Sequence, residues 1–214
     1  MPHPLTRKPP LKPLHRVSAL SALSVCLCLL AACGTPGPAP QLYQLQAEPP
    51  APVTEAQPPV ALQLQLMAAT LPELLERDAL LVPQGGNALQ VLPGHRWAEP
   101  LRDAVPRLLR QDLALWLGLP QVWAAPVPAG VVVQRQLRVE VLQLQVDAAR
   151  SRVQLQARWT LSDPAGSVPP QGRVETLSAP VVGTGVDAIV SAHRMVLWRL
   201  AGAVAAGVRA RSAP

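Results

Sequence analysis

The stretch Leu30-Ala31-Ala32-Cys33 carries the clearest chemistry in this chain. A basic segment holding Arg7, Lys8, Lys12 and Arg16 comes first, and an apolar run from about Val17 to Leu30 follows. Two small residues then precede a cysteine. A signal peptidase needs small side chains just before its cut, because its cleft cannot take bulky ones. The Cys33 thiol is the group that accepts lipid through a thioether, after which the new N-terminus is acylated. The pattern is that of a bacterial lipoprotein signal over 1–32, and it predicts a mature chain outside the cytoplasm and held on a membrane. The apolar run has 14 residues, short of the roughly 20 that a spanning helix needs. The later Met195–Val208 stretch is interrupted by Arg199 and preceded by Arg194. Gly34 follows the cysteine, where Asp would be the inner-membrane retention signal of bacteria with two membranes, so the expected location is the outer membrane.

Other reactive side chains do not assemble into a site by spacing. Asp187 and Ser191 are four apart on a predicted helix and share a face, while His193 is two from Ser191 and points elsewhere. His193 falls in an apolar stripe and is read as a core histidine. No Gly-x-Ser-x-Gly elbow is present. His95 and His193 are the only histidines after Cys33, and no helix-spaced pair suggests zinc. Gly85-Gly86 and Gly183-Thr184-Gly185 are turns. A phosphate loop would also need a lysine, which the chain lacks beyond Cys33. No catalytic residue, cofactor or metal is expected, apart from covalent lipid on Cys33.

Removing the signal changes the charge. Of 19 basic residues four lie ahead of Cys33, so 15 remain against 13 acidic ones. That near balance excludes a basic nucleic-acid footprint. Cys26 and Cys28 leave with the signal, so the mature chain has no second cysteine for a disulfide, a metal or a thiol nucleophile. With no Phe, one Tyr and five Trp, the chain offers few aromatic platforms for stacking on bases or sugars.

The elements follow from periodicity. Residues 33–59 read as a lipidated cysteine and a Pro-rich tether at about 3.1 Å per residue, within which Leu42-Tyr43-Gln44-Leu45 is a first short strand. A folded domain is expected over 60–214. Val60–Met67 alternates leucine with glutamine, the period of a half-buried strand. Leu71–Asp78 is a short helix or turn. Ala79–Val82 and Ala88–Leu92 flank a hairpin turn at Gln84-Gly85-Gly86-Asn87. Ala98–Gly118 is the first long helix, with Leu101, Val105, Leu108, Leu109, Leu115 and Trp116 on its apolar face. Arg102, Asp103, Arg107, Arg110 and Asp112 make up the polar one. Pro106 should kink this helix or delay its start. Pro120–Gly130 is a connection. Val131–Val146 and Ser151–Leu161 form a hairpin, and the apolar phase slips between Val141 and Leu142, which predicts a β-bulge. Gly172–Val182 is a further strand. Gly185 to about Arg209 is the closing helix. There is no internal repeat. The order predicts an α+β two-layer sandwich, a mainly antiparallel sheet covered on one face by two long helices.

Several of these pieces resemble the auxiliary lipoproteins of ABC-type lipid transport systems, the group containing PqiC. The resemblance runs from Leu42 to the last helix. It rests on the Leu42-Tyr43-Gln44-Leu45 start, on Leu71-Pro72-Glu73-Leu74-Leu75-Glu76-Arg77-Asp78-Ala79-Leu80, and above all on Arg96-Trp97-Ala98-Glu99-Pro100-Leu101 opening the long helix. The closing helix matches in pattern only. The usual aromatics ahead of Trp97 are replaced by Leu92-Pro93-Gly94-His95-Arg96. Tyr43, Trp97, Glu99, Pro100 and Leu101 are thus the family-motif residues. Their first reading is structural, with Trp97 anchoring the strand-to-helix corner and Glu99 facing the helix N-terminus. Contact with a partner is the second.

The resemblance implies a non-enzymatic, outer-membrane lipoprotein that helps a periplasmic MCE-domain protein meet that membrane. A separate inner-membrane permease and ATPase would supply energy. The sequence leaves room for a homo-oligomer. Two other classes stay open: a lipid-binding carrier or acceptor, which needs a sizeable apolar cavity, and an envelope structural or secretion-pilot lipoprotein.

Overall fold

The computed structural model describes residues 39–53 and 58–212. Cys33, the signal over 1–32 and the tether residues 34–38 and 54–57 lie outside them. The elements in order are β1 (Gln41–Tyr43), β2 (Leu64–Thr70), a single 3-10 turn (Glu73–Leu75), β3 (Ala79–Gly85), β4 (Ala88–Trp97) and α1 (Leu101–Leu117). After these come β5 (Trp123–Ala124), β6 (Arg135–Val146), β7 (Arg152–Ser162), β8 (Gln171–Pro180) and α2 (Gly185–Ser212). The fold is α+β: two helices packed against mixed, mostly antiparallel sheets.

The hairpin β6–β7 is the centre of the molecule. On β7, Val153, Leu155, Ala157, Trp159 and Leu161 are all buried, as strict alternation requires of a strand with one face on a core. On β6 the buried set runs Leu137, Val139, Val141 and then Leu144, Val146. The pairing steps from Val141↔Ala157 to Gln143↔Gln156. Leu142 is therefore the extra residue of a bulge, which keeps both halves of the strand facing inward. At the hairpin turn the Asp147 carboxylate accepts Ser151 N–H at 2.7 Å and Ser151 Oγ–H at 2.7 Å.

Two sheets are present where periodicity suggested one. The larger has the order β5-β2-β6-β7-β8 and the smaller β1-β4-β3. Neighbours β2–β5, β2–β6 and β1–β4 are parallel. Such pairings join residues far apart in sequence, so no local pattern announces them. β2 begins at Leu64 rather than Val60. Its Gln65 is buried, not solvent-facing, and its side-chain oxygen accepts Gln136 Nε2–H at 3.1 Å. β4 runs on through Pro93, Gly94 and His95 to Trp97, because β1 pairs with its last three residues. Gly94, at φ +74°, makes the backbone bend that a side chain would resist.

The folded unit begins near Pro40, ahead of the expected boundary at Val60. Within the stretch read as tether, β1 is a strand and Leu45 is fully buried.

Helix α1 packs over β2, and α2 lies over β7 and β8. Pro100 is the N-cap of α1, so the helix starts three residues later than expected. Pro106 sits inside it without delaying the start. Gly118 closes it in the left-handed conformation at φ 65°, the usual role of glycine at a helix end. Two side chains depart from the expected faces. Asp112 is buried, and Leu115 is 50% exposed.

Candidate functional site

The family-motif residues meet at one corner, where β1, the end of β4 and the start of α1 converge. Tyr43 lies opposite Trp97 in the parallel ladder. The Trp97 N–H donates to the Asp78 carbonyl at 2.7 Å, and the Ala98 N–H donates to the Tyr43 carbonyl at 2.7 Å. These bonds tie the last strand residue to both neighbours just before the chain turns into the helix. The Trp97 indole is buried and meets the His193 ring edge-on, with centroids 5.6 Å apart. It joins the smaller sheet to α2. Leu101 is buried beneath it at the first turn of α1.

Tyr43 is half-buried, with its hydroxyl 2.8 Å from Gln41 Oε1 and 2.9 Å from His95 Nδ1. Partial burial raises the phenol above its ordinary value, and the Asp187 charge adds to this. The hydroxyl donates its one hydrogen to Gln41 Oε1, so its oxygen accepts from His95 Nδ1–H. Glu99 makes no side-chain cap on α1. It pairs with Arg107 one to two turns into the helix, at about 30% exposure for each. Glu99 thus stands just ahead of the N-terminus of α1 and meets that helix through an ion pair.

Asp187, Ser191 and His193 do not come together as a reactive set. His193 is buried, and its Nδ1 lies 2.8 Å from the Ile189 carbonyl. A carbonyl only accepts, so Nδ1 carries the proton. Ser191 and Asp187 are exposed on the same helix. His95 stands against Tyr43 while His193 stands against Trp97. Among the described residues no group of three or more ligating side chains could hold a metal.

What periodicity missed is an ion pair in the core. Arg194 of α2 and Asp112 of α1 are 4% and 0% exposed and bond through both oxygens at 2.7 Å. Such a bidentate fork is the strongest geometry open to this pair. Arg194 Nε also donates to the Gln46 carbonyl at 2.7 Å, and its guanidinium lies 5.9 Å from the Trp198 ring centroid. Three segments meet on one side chain: both helices and the chain just after β1. Burial pushes the Asp112 carboxyl above the ordinary carboxylate range, while the Arg194 hydrogen bonds and charge oppose the rise. The only sequence signal was an aspartate and an arginine each standing among leucines, valines and tryptophans.

The model of the ABC-type transport auxiliary lipoprotein component family matches residues 43–205. The chain belongs to this family. No curated protein matches it in sequence. An uncharacterized protein of known crystal structure aligns with a TM-score of 0.63 at 18% identity, covering 79% of this chain and 99% of its own. A protein from Xanthomonas campestris aligns with a TM-score of 0.61 at 17% identity, covering 81% and 99%. At such identities the likeness is one of fold.

In this auxiliary lipoprotein the space under the family motif is small. The cavity between β3, the start of α1 and α2, bordered by Leu80, Trp97, Leu101 and His193, measures about 30 Å³. That is roughly the room of a single water, well below the several hundred Å³ of a typical ligand site. No helix among the described residues is long and apolar enough to cross a membrane.

His193 predicts a pH dependence of stability. Burial depresses it from 6.5 to about 4, against the opposing Ile189 bond. The unfolded chain takes up this proton below about 6.5, while the folded one resists until about 4. The stability contributed by neutral His193 is present above pH 6.5 and is lost as pH falls towards 4. The loss amounts to about 3 kcal/mol. Urea unfolding at pH 7 and at pH 4.5 should show this fall in the parent. The His193→Gln variant should show a clearly shallower one. Equal slopes would mean that other groups carry the acid sensitivity.

Proposed function

We propose that this protein is the outer-membrane-anchored accessory of an MCE-type ABC lipid transport system, facing the periplasm and catalysing nothing itself. The observation that carries the reading is family membership over residues 43–205. Leu30-Ala31-Ala32-Cys33 supports the anchor, and Gly34 in place of aspartate supports the outer membrane. The mechanism is docking. Acyl chains on Cys33 hold the protein in the leaflet, each buried methylene contributing about 0.8 kcal/mol. The Pro-rich segment sets its reach, and the folded unit grips the periplasmic MCE-domain protein. A separate inner-membrane permease and ATPase drive transport.

In-cell crosslinking followed by affinity purification from detergent-solubilised membranes tests the proposal. An MCE-domain protein should be enriched with the parent chain and strongly reduced with Cys33→Ala, which should also leave the membrane fraction. Recovery of a secretin or of cell-wall proteins, with the MCE protein expressed but not captured, would overturn the partner assignment. Retention of Cys33→Ala in the outer membrane would overturn the anchor.

A further inference from the structure

β2 lies one place in from the edge of the five-stranded sheet, with only the two-residue β5 outside it. β6 covers one side of it from Leu64 to Thr70. On the other side β5 pairs only with Gln65 and Leu66, after which its chain turns away at Ala125-Pro126. Among the described residues no strand covers the outer side from Met67 to Thr70, and the alternate N–H and C=O groups that point away from β6 have no ladder to enter there. Natural edge strands are usually blunted by lysine, proline, inward charges or a β-bulge. The sequence here is Met-Ala-Ala-Thr, and its one such device is the bulge at Met67, between the pairs Leu66↔Leu137 and Ala68↔Arg138. The opposite edge, β8, does carry such devices: Arg173, Glu175 and Pro180.

This open edge lies in a groove of about 350 Å³ whose far wall is the first half of α1. Ala68, Ala69 and Ala124 border it, so small side chains leave room beside the backbone. Arg102, Arg107 and Arg110 line the helix side. Arg107 is paired with Glu99, and Arg102 stands 3.8 Å from Asp103 with both side chains more than half exposed. Such an exposed pair holds its arginine weakly. Among the described residues Arg110 has no ion-pair partner. Pro106 also borders the groove and has no N–H to give to the Arg102 carbonyl.

We propose that this groove takes an extended, acidic segment of a partner protein, which adds a strand to β2 at Met67–Thr70 while its carboxylates meet Arg102 and Arg110. Main-chain pairing supplies the affinity in this mode, and the side chains beside it supply the choice of partner. The incoming segment occupies the row that β5 begins and abandons after Ala124. The inference concerns the chemistry of the occupant and does not depend on which transport system the protein serves.

The test uses the full chain, solubilised in detergent, and two fluorescent peptides. One alternates valine with glutamate and the other valine with lysine, each bearing a photocrosslinking residue. The acidic peptide should bind saturably and leave adducts on residues 67–70. The Arg102→Glu/Arg110→Glu variant should weaken it at least about tenfold and now prefer the lysine peptide. Both positions reach solvent, so the variant should keep its melting temperature, and a matched Arg102→Gln/Arg110→Gln variant should give an intermediate loss. Equal binding of the two peptides, adducts on β8 instead, or unchanged preference in the charge-reversed variant would overturn the proposal.

Discussion

Replacing Arg194 with leucine should destabilise the protein by about 3–5 kcal/mol, among the largest effects of any single change in it. The reason is not the loss of an attraction alone. Asp112 has no exposed surface, and Arg194 holds both of its oxygens at 2.7 Å. Leucine would leave a carboxyl in the core with no donor, and it would have to be protonated or drag in water. Arg194→Lys should recover little, since one ammonium cannot reproduce the planar fork. The double variant Asp112→Leu/Arg194→Leu should recover much of the loss, because two apolar side chains can replace a buried pair. It should not restore the bond from Arg194 Nε to the Gln46 carbonyl. Urea titration would measure the first effect, and amide exchange around Gln46 the second. A single-variant loss under about 1 kcal/mol would show that water already reaches the pair.

The second large effect is expected at Gly207. A Cβ built there would lie 2.7 Å from Trp159 Cζ2 and closer still to Cη2. Helix α2 therefore rests its backbone directly on the indole plate of β7. Trp159 is fully buried, and its Nε1–H donates to Glu175 Oε1 at 3.3 Å. The ring cannot swing aside as the end of a surface side chain would. Alanine should gain up to about 1 kcal/mol from helix propensity and lose more to overlap, since overpacking costs about 1–3 kcal/mol or more. A net loss near 2 kcal/mol is expected for Gly207→Ala. Gly202→Ala is the control. Its Cβ would meet Trp116 at 3.1 Å, but Trp116 is only partly buried and can give, so a change under about 1 kcal/mol is expected. In a Trp159→Phe background, which removes the atoms in conflict, Gly207→Ala should become neutral or favourable. Additivity of the two changes would refute this account of the glycine.

How much of this was legible in the chain can be judged element by element. The alternation on β7 and the phase slip on β6 showed both the central hairpin and its bulge, because side-chain direction along a strand is a local matter of period two. The apolar stripe of α2 placed His193 in the core for the same reason, with period 3.6. Gly118 marked the end of α1 through its own backbone freedom. Where the reading failed, the cause was non-local. Glu99 was read as facing the N-terminus of α1, and its bond to Arg107, eight residues on, was not foreseen. Asp112 was assigned to the polar face of α1, yet it faces Arg194, a residue 82 positions away. β4 was cut short at Leu92 because β1, which extends it to Trp97, comes from a segment read as mostly tether.

The sequence by itself determined the α+β order of elements, the phase slip that makes the β6 bulge and the end of α1 at Gly118. Each of these is written in neighbouring side chains or in a short period, so no distant partner is needed to read it. Only the tertiary structure decided that the strands divide into two sheets and that the segment after Pro40 belongs to the folded unit. It alone closed the Arg194 fork on Asp112 and, among the described residues, left the outer side of β2 unpaired from Met67 to Thr70. These depend on parallel pairings and buried contacts between residues far apart in the chain. A charge is stable in a core only when the folded neighbours happen to satisfy it, and a strand edge is open only when no other segment reaches it.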